Sequence, residues 1–297
     1  MILVTGGTGF IGQALIRQLV SLGKPVRTLL RPSIVTPNLP RGIPIEVAVS
    51  SFDDERSLRA AMKGVDVIYH LAGSERLGSR LADLVGVDIE GTKSIAKIAA
   101  EAEVNRIIYL SHLGADRSSA FPLLKAKAIA EGHVVNCGID FTIVRSGVAF
   151  GPNDQFTVSL ARLLKISPGL FLMPGDGSAL IHPIWVEDLT ACLAWIMEDS
   201  QFVQQTISIG GAEHLTFHQT VETIMQETGV RRSMVSISPA YLRIISLMVE
   251  QLYPNWPVSA FWLDYLAVNR TAPLDVLPRL FGLIPARLNH NIHYLKE

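Results

Sequence analysis

A short apolar run, Ile2–Thr5, breaks into Gly6-Gly7-Thr8-Gly9-Phe10-Ile11-Gly12 and resumes as a pattern of helical spacing. Nothing else in the chain limits its fold so sharply. Ile11, Ala14, Leu15, Leu19 and Leu22 supply a helix-like apolar periodicity, and Gly23 stands where a helix C-cap belongs. Gly6 would permit a tight strand-to-helix turn, Gly9 would let backbone approach a pyrophosphate, and Gly12 would let the helix pack closely on the strand. Phosphates would then meet free N–H groups and the positive end of the helix dipole, with Thr8, Phe10 and Ile11 completing the cradle. A glycine triplet alone also suits a packing turn. Its place between an N-terminal strand and an amphipathic helix favours a dinucleotide.

The first half continues the alternation. Val26–Leu30, Ile45–Val49, Val65–Leu71, Arg106–Leu110 and Phe141–Arg145 read as strands. Ser57–Met62, Ile89–Ala102 and Leu123–Cys137 read as helices. Strand and helix in turn predict parallel strands with right-handed crossovers, hence an α/β doubly wound sheet, the Rossmann architecture. After Gly151 the chain becomes irregular and richer in proline. The expected organisation is a dinucleotide-binding core over residues 1–150, joined by a returning strand near 206–209, and a smaller C-terminal cap over most of 151–297.

Composition narrows the class. Apolar residues make up 48% and charged residues 18%, with a formal net charge of −1, and the mean hydropathy is +0.32. There is ample material for a core, so disorder is excluded. A near-neutral chain offers no bulk attraction to nucleic acid. Cys137 and Cys192 cannot build a disulfide framework, which fits a reducing compartment. No apolar run reaches the ~18 residues that a spanning helix needs. MILVTGG lacks the basic and apolar regions of a signal peptide, so the expected location is cytoplasmic, with membrane-peripheral contact left open.

The acceptor of the adenosine ribose should lie ~20 residues beyond the glycines, at the end of the second strand. Leu30 and Arg31 stand there and no carboxylate does. A carboxylate would bind the 2′-hydroxyl of NAD, whereas an arginine accommodates the 2′-phosphate of NADP. Arg31, with Arg27 as a helper, therefore favours NADP(H) over NAD; the competing reading is a solvated strand-end arginine.

TGGTGFIG, VDVIYHLAG, RIIYLSHLGA, FTIVRSGVAFGP, MPGDGSALIHPIWVEDL and TISIGGAEHLTFHQTVETI, in that order, resemble the extended and atypical short-chain dehydrogenase/reductases, an epimerase/dehydratase-like superfamily. AFWLDYLAVNRTA and LFGLIPARLNHNIHYLKE are similar to one atypical branch, which includes the NAD(P)H-binding accessory subunit of respiratory complex I. The resemblance implies that Leu71, Ala72 and Gly73 line the adenosine ribose and pyrophosphate. Ser51 and Phe52 fall where an Asp-Leu pair usually reaches the adenine, and Ser146, Gly147 and Val148 approach the nicotinamide.

Catalytic members of that family hold a Tyr four residues before a Lys, so that one helical turn places both on one face. Lys127 occupies the lysine position here, for cofactor binding and catalysis alike, but Leu123 occupies the tyrosine position. Slipping the register by two pairs Phe121 with Lys125, still without a hydroxyl, and neither Leu nor Phe can act as a general acid. Ser111 lies near the usual serine, and His112 is the nearest other proton carrier. The tyrosine-based mechanism is disfavoured. A Lys127-assisted reduction by an NADP(H)-dependent oxidoreductase stays open. So does a non-catalytic dinucleotide-binding scaffold or redox sensor, as in NmrA-like regulators, attached to a larger assembly.

Met234–Asn269 contains only three charged residues, Arg243, Glu250 and Asp264, beside Tyr241, Tyr253, Trp256, Phe261, Trp262 and Tyr265. This stretch suits cap packing, an apolar small-molecule pocket, a protein partner or a membrane surface.

Overall fold

The computed structural model describes residues 1–33, 36–74, 83–252, 263, 266 and 268–296. Two compact units divide the chain. The first, residues 1–74, 81–146 and 187–208, is built on a seven-stranded parallel sheet. Its strands are β1 (Ile2–Thr5), β2 (Val26–Leu30), β3 (Glu46–Val49), β4 (Val67–His70), β5 (Arg106–His112), β6 (Asp140–Ser146) and β11 (Gln205–Ile209). Their spatial order is β11-β6-β5-β4-β1-β2-β3, so the order reverses at β1 and β4. In such sheets ligands bind beyond the strand carboxyl ends at that reversal. The expected doubly wound fold is the observed one.

Helices α1 (Phe10–Ser21), α2 (Glu55–Met62), α3 (Thr92–Glu101) and α4 (Pro122–Val135) connect the strands. One face of the sheet packs Leu3, Ile68, Ile107 and Ile143 against Leu58, Met62, Ile95, Ile98 and Ala99. Buried on both faces, such strands carry near-continuous apolar runs, which accounts for part of the low charge content.

Two features depart from the expected elements. Ile89–Ala102 is not one regular helix: a π-helical stretch, Leu84–Gly91, leads into α3. This wider winding carries Asp88 into the interior, where its side chain is fully buried. The first unit also takes in Glu187–Ser208, whereas the sequence reading returned only the strand at 206–209 to it. Helix α6 (Val186–Glu198) buries Leu189, Cys192, Leu193 and Ile196, and the Tyr69 hydroxyl donates to its Leu193 carbonyl at 2.8 Å.

The second unit holds short strand pairs. β7 (Ala149–Phe150) pairs with β10 (Ile184–Trp185), β9 (Leu180–Ile181) with β12 (Leu215–Thr216), and β8 (Leu170–Pro174) with β13 (Ser233–Ile237). Phe150, Leu160, Leu164, Phe171, Phe217 and Ile224 form its core, drawing on α5 (Thr157–Ile166) and α7 (Phe217–Thr228). Thr216 and Gln219 close a reciprocal cap at the start of α7. Helix α8 (Pro239–Leu252) follows β13. Of the aromatics noted in Met234–Asn269, Tyr253, Trp256, Phe261, Trp262 and Tyr265 lie outside the described residues. No described helix is long and apolar enough to cross a membrane.

Candidate functional site

The glycines meet steric demands that side chains could not. Gly6 adopts φ +75°, and a Cβ there would lie 2.8 Å from the Ala72 nitrogen. A Cβ on Gly12 would lie 2.2 Å from the Gly6 carbonyl oxygen, and one on Gly7 2.2 Å from Thr28 Oγ1. At Gly9 the nearest atom would be 3.2 Å away. The turn closes through the Gly9 N–H donating to the Gly6 carbonyl at 2.9 Å. Gly9 caps α1 with no side-chain hydrogen bond, and the first turn carries no acid. Thr8, Phe10 and Ile11 are half-buried, and the Thr8 carbonyl accepts from Gln13 Nε2 at 3.1 Å. A helix start with free amides, no competing carboxylate and no Cβ at its turn glycines fits a pyrophosphate.

The loop after β4 borders this turn. The Leu71 N–H donates to the Thr5 carbonyl at 3.2 Å, and the Ala72 N–H to Thr5 Oγ1 at 3.4 Å. Leu71, Ala72 and Gly73 are all half-buried. His70 bonds Thr5 Oγ1 through Nδ1 (2.7 Å) and Thr92 Oγ1 through Nε2 (2.9 Å). Burial, with the charge of Lys127, pushes this imidazole down to about 3, so it is neutral at physiological pH. His70 also stacks on Tyr109, with ring centroids 5.5 Å apart.

At the end of β2, Arg31 is exposed, and no described residue holds its guanidinium through a hydrogen bond or ion pair. Arg27 does not help it, which corrects that expectation. Its guanidinium is engaged by Glu46 at 2.7 Å and by the Ala61 and Lys63 carbonyls at 2.7 and 2.9 Å. As the second residue of β2, Arg27 also stands toward the amino end of the strand, away from the carboxyl end where a ligand would bind. Ser51 follows β3, its carbonyl accepting from Ser50 Oγ at 2.9 Å. The Phe52 ring meets His70 edge-on at 6.1 Å.

The residues expected to move a proton are tied to buried acids. Leu123 is 1% exposed. Lys127 Nζ lies 2.9 Å from Asp88 Oδ1, the two side chains being 4% and 0% exposed. The other Asp88 oxygen accepts from the Ser74 N–H at 3.0 Å and from the Ser74 hydroxyl. Lys127 Nζ is also 5.8 Å from the Tyr109 ring centroid. Ser111 Oγ donates to Glu131 Oε1 at 2.5 Å, and Arg145 grips the same carboxylate at 2.9 and 2.6 Å. That carboxylate holds the Arg145 guanidinium above its usual pKa. Ser146 is buried at the end of β6, its carbonyl accepting from the Leu113 N–H at 3.0 Å. Val148 belongs to the second unit.

Sequence reasoning missed Asp88, Glu131 and Ser74. One signal was available: Asp88 and Glu131 are single acids inside apolar stretches, Leu-Val-Gly-Val-Asp-Ile and Ala-Ile-Ala-Glu. A buried acid needs a cation or several donors.

A family model described as NAD(P)H-binding matches residues 6–158. The chain is 28% identical over 81% of its length to NADH dehydrogenase [ubiquinone] 1 alpha subcomplex subunit 9, mitochondrial, of Arabidopsis thaliana, and spans 59% of that relative's length. It is 29% identical over 84% of its length to the sterol demethylase protein B of Methylococcus capsulatus, covering 81% of it. Among solved structures, an NADPH-dependent quinone oxidoreductase from Escherichia coli aligns over 100% of both chains with a TM-score of 0.77 at 19% identity, a likeness of fold.

Proposed function

Because the chain belongs to the NAD(P)H-binding family, we propose that it holds NADP(H) and does so without a tyrosine-based proton relay, as a non-catalytic dinucleotide-binding subunit or sensor. The pyrophosphate would lie on the turn from Gly6 to Gly12, the adenosine ribose along Leu71, Ala72 and Gly73, and the 2′-phosphate on Arg31. Ser51 would border the adenine, and Ser146 the nicotinamide. A bound nicotinamide supplies a hydride to carbon. The protein's part in a reduction would be to deliver a proton to the neighbouring oxygen. Leu123 has no proton to give, and Lys127 and Ser111 each face a buried carboxylate. That pairing is the observation that carries the reading, since a compensated ammonium is a poor donor to a third group. A cytoplasmic placement belongs to the same proposal and rests on the reducing-compartment argument.

A second reading, an oxidoreductase acting on an apolar acceptor, draws on the names of the quinone oxidoreductase and the sterol demethylase protein. Titration calorimetry with NADPH and NADH, followed by NADPH oxidation against a panel of carbonyls and quinones, separates the two. Preferential NADPH binding with no oxidation is expected. Sustained turnover would overturn the non-catalytic reading. With Arg31→Ala, NADPH binding should weaken about tenfold or more, the scale of one charge-assisted contact, while NADH binding is unchanged. Equal affinity for both cofactors in the wild type would overturn the NADP preference.

A further inference from the structure

The second unit presents apolar side chains to solvent beside a group of cations. In the parallel pair β8–β13, Leu170 stands opposite Ser233 and Leu172 opposite Val235. Leu170, Leu172 and Val235 are 52%, 42% and 42% exposed, while the alternate residues Phe171 and Met173 are buried in the core. The sheet is thus apolar on both faces, and one face is open. Ser238 alone separates β13 from α8, where Tyr241, Ile244 and Met248 are 65%, 53% and 63% exposed. Their spacing places them along one side of the helix, while Leu242 and Ser246 are buried. Open apolar side chains on a sheet face and on the helix that follows it mark a contact site.

The charge around it says which kind. Arg162 and Lys165 end α5, and Arg231 and Arg232 precede β13; Arg232 Nη2 donates to the Lys165 carbonyl at 3.3 Å, bringing these two segments together. Arg162, Lys165 and Arg231 are exposed. Residues 161–176 and 229–252 contain five cations (those four and Arg243) and two acids, Asp176 and Glu250, a balance of +3 in a chain of net −1. An apolar surface edged by cations complements a bilayer with anionic headgroups, because acyl chains accept the apolar side chains while the cations stay at headgroup level. We propose that this surface of the second unit docks on an anionic phospholipid bilayer.

The test is vesicle flotation of the full chain. Vesicles of phosphatidylcholine with 30% phosphatidylserine should carry the protein at low salt. Pure phosphatidylcholine vesicles should leave most of it behind, and 0.5 M NaCl should release it, because salt screens exposed charges. Lys165→Ala with Arg231→Ala should weaken binding about 30-fold, at ~1 kcal/mol per cation near the surface. Ile244→Ser with Met248→Ser should also release the protein, and both variants should keep the wild-type circular dichroism and NADPH titration. Equal binding to neutral and anionic vesicles, or none to either, overturns the proposal. So does a concentration-dependent dimer that these substitutions disrupt while vesicle binding is absent, since a second copy would then be the occupant.

Discussion

Replacing Lys127 by methionine tests whether its ammonium is committed to Asp88 or is held ready for chemistry. The two groups lie 2.9 Å apart with side chains 4% and 0% exposed. At an effective dielectric constant of ~20, charges at that distance attract by roughly 6 kcal/mol before desolvation is counted. Desolvation of two ions takes back several kcal/mol, so the pair's net worth is small. Removing one partner is different, because the other charge stays buried: Lys127→Met leaves Asp88, among the described residues, with Ser74 alone, and a loss of ~3–5 kcal/mol is expected. Asp88→Asn takes the carboxylate charge away from a buried ammonium, and a loss of similar size is expected. The double variant removes both charges, and the carboxamide that replaces the Asp88 carboxylate can still accept from Ser74. It should therefore lie within about 2 kcal/mol of wild type, giving a coupling energy of at least ~4 kcal/mol. Urea unfolding followed by circular dichroism, with m-values compared across the four proteins, measures this cycle. Single variants within ~1 kcal/mol of wild type, or a double variant that costs the sum of the singles, would refute the argument and free Lys127 for a catalytic role.

Gly12→Val should weaken NADPH binding more than tenfold and lower the melting temperature, because its Cβ would overlap the Gly6 carbonyl at 2.2 Å. Gly9→Ala, with 3.2 Å to that oxygen, should cost under ~1 kcal/mol; the opposite ranking by calorimetry would sink the steric account. Burial pushes His70 down to about 3 and His182 to about 4, while the unfolded chain protonates both near 6.5. Between those values the unfolded chain binds more protons, so stability falls as pH drops below ~6.5. The slope is about 1.4 kcal/mol per pH unit for each imidazole, and urea midpoints unchanged between pH 7 and pH 5 would contradict it. Thr216→Ala opens the reciprocal cap of α7 and should cost ~1 kcal/mol, read as a lower melting temperature in calorimetry.

The first two strands and the glycine turn were legible because their causes are local. Ile2–Thr5 and Val26–Leu30 keep the bounds read from the sequence, and a helix, Phe10–Ser21, stands where the apolar period placed one, since apolar period and glycine placement are properties of neighbouring residues. Leu84–Gly91 was not legible. Its π winding accompanies an aspartate drawn inward by a lysine 39 positions later, and no local pattern carries that. Arg27 was misjudged for the same reason: its partners, Glu46 and two carbonyls near the end of α2, are distant in sequence.

By itself the sequence determined a doubly wound sheet, a glycine turn between its first strand and first helix, and the absence of a phenol one turn before Lys127. Periodicity, steric permission and residue identity are all written along the chain. Tertiary structure alone decided which charges meet. It paired Lys127 with Asp88, tied Ser111 and Arg145 to Glu131, and left Arg31 open to solvent. A group's chemistry depends on whether its charge is compensated and whether water reaches it, and both are set by residues that only folding brings together.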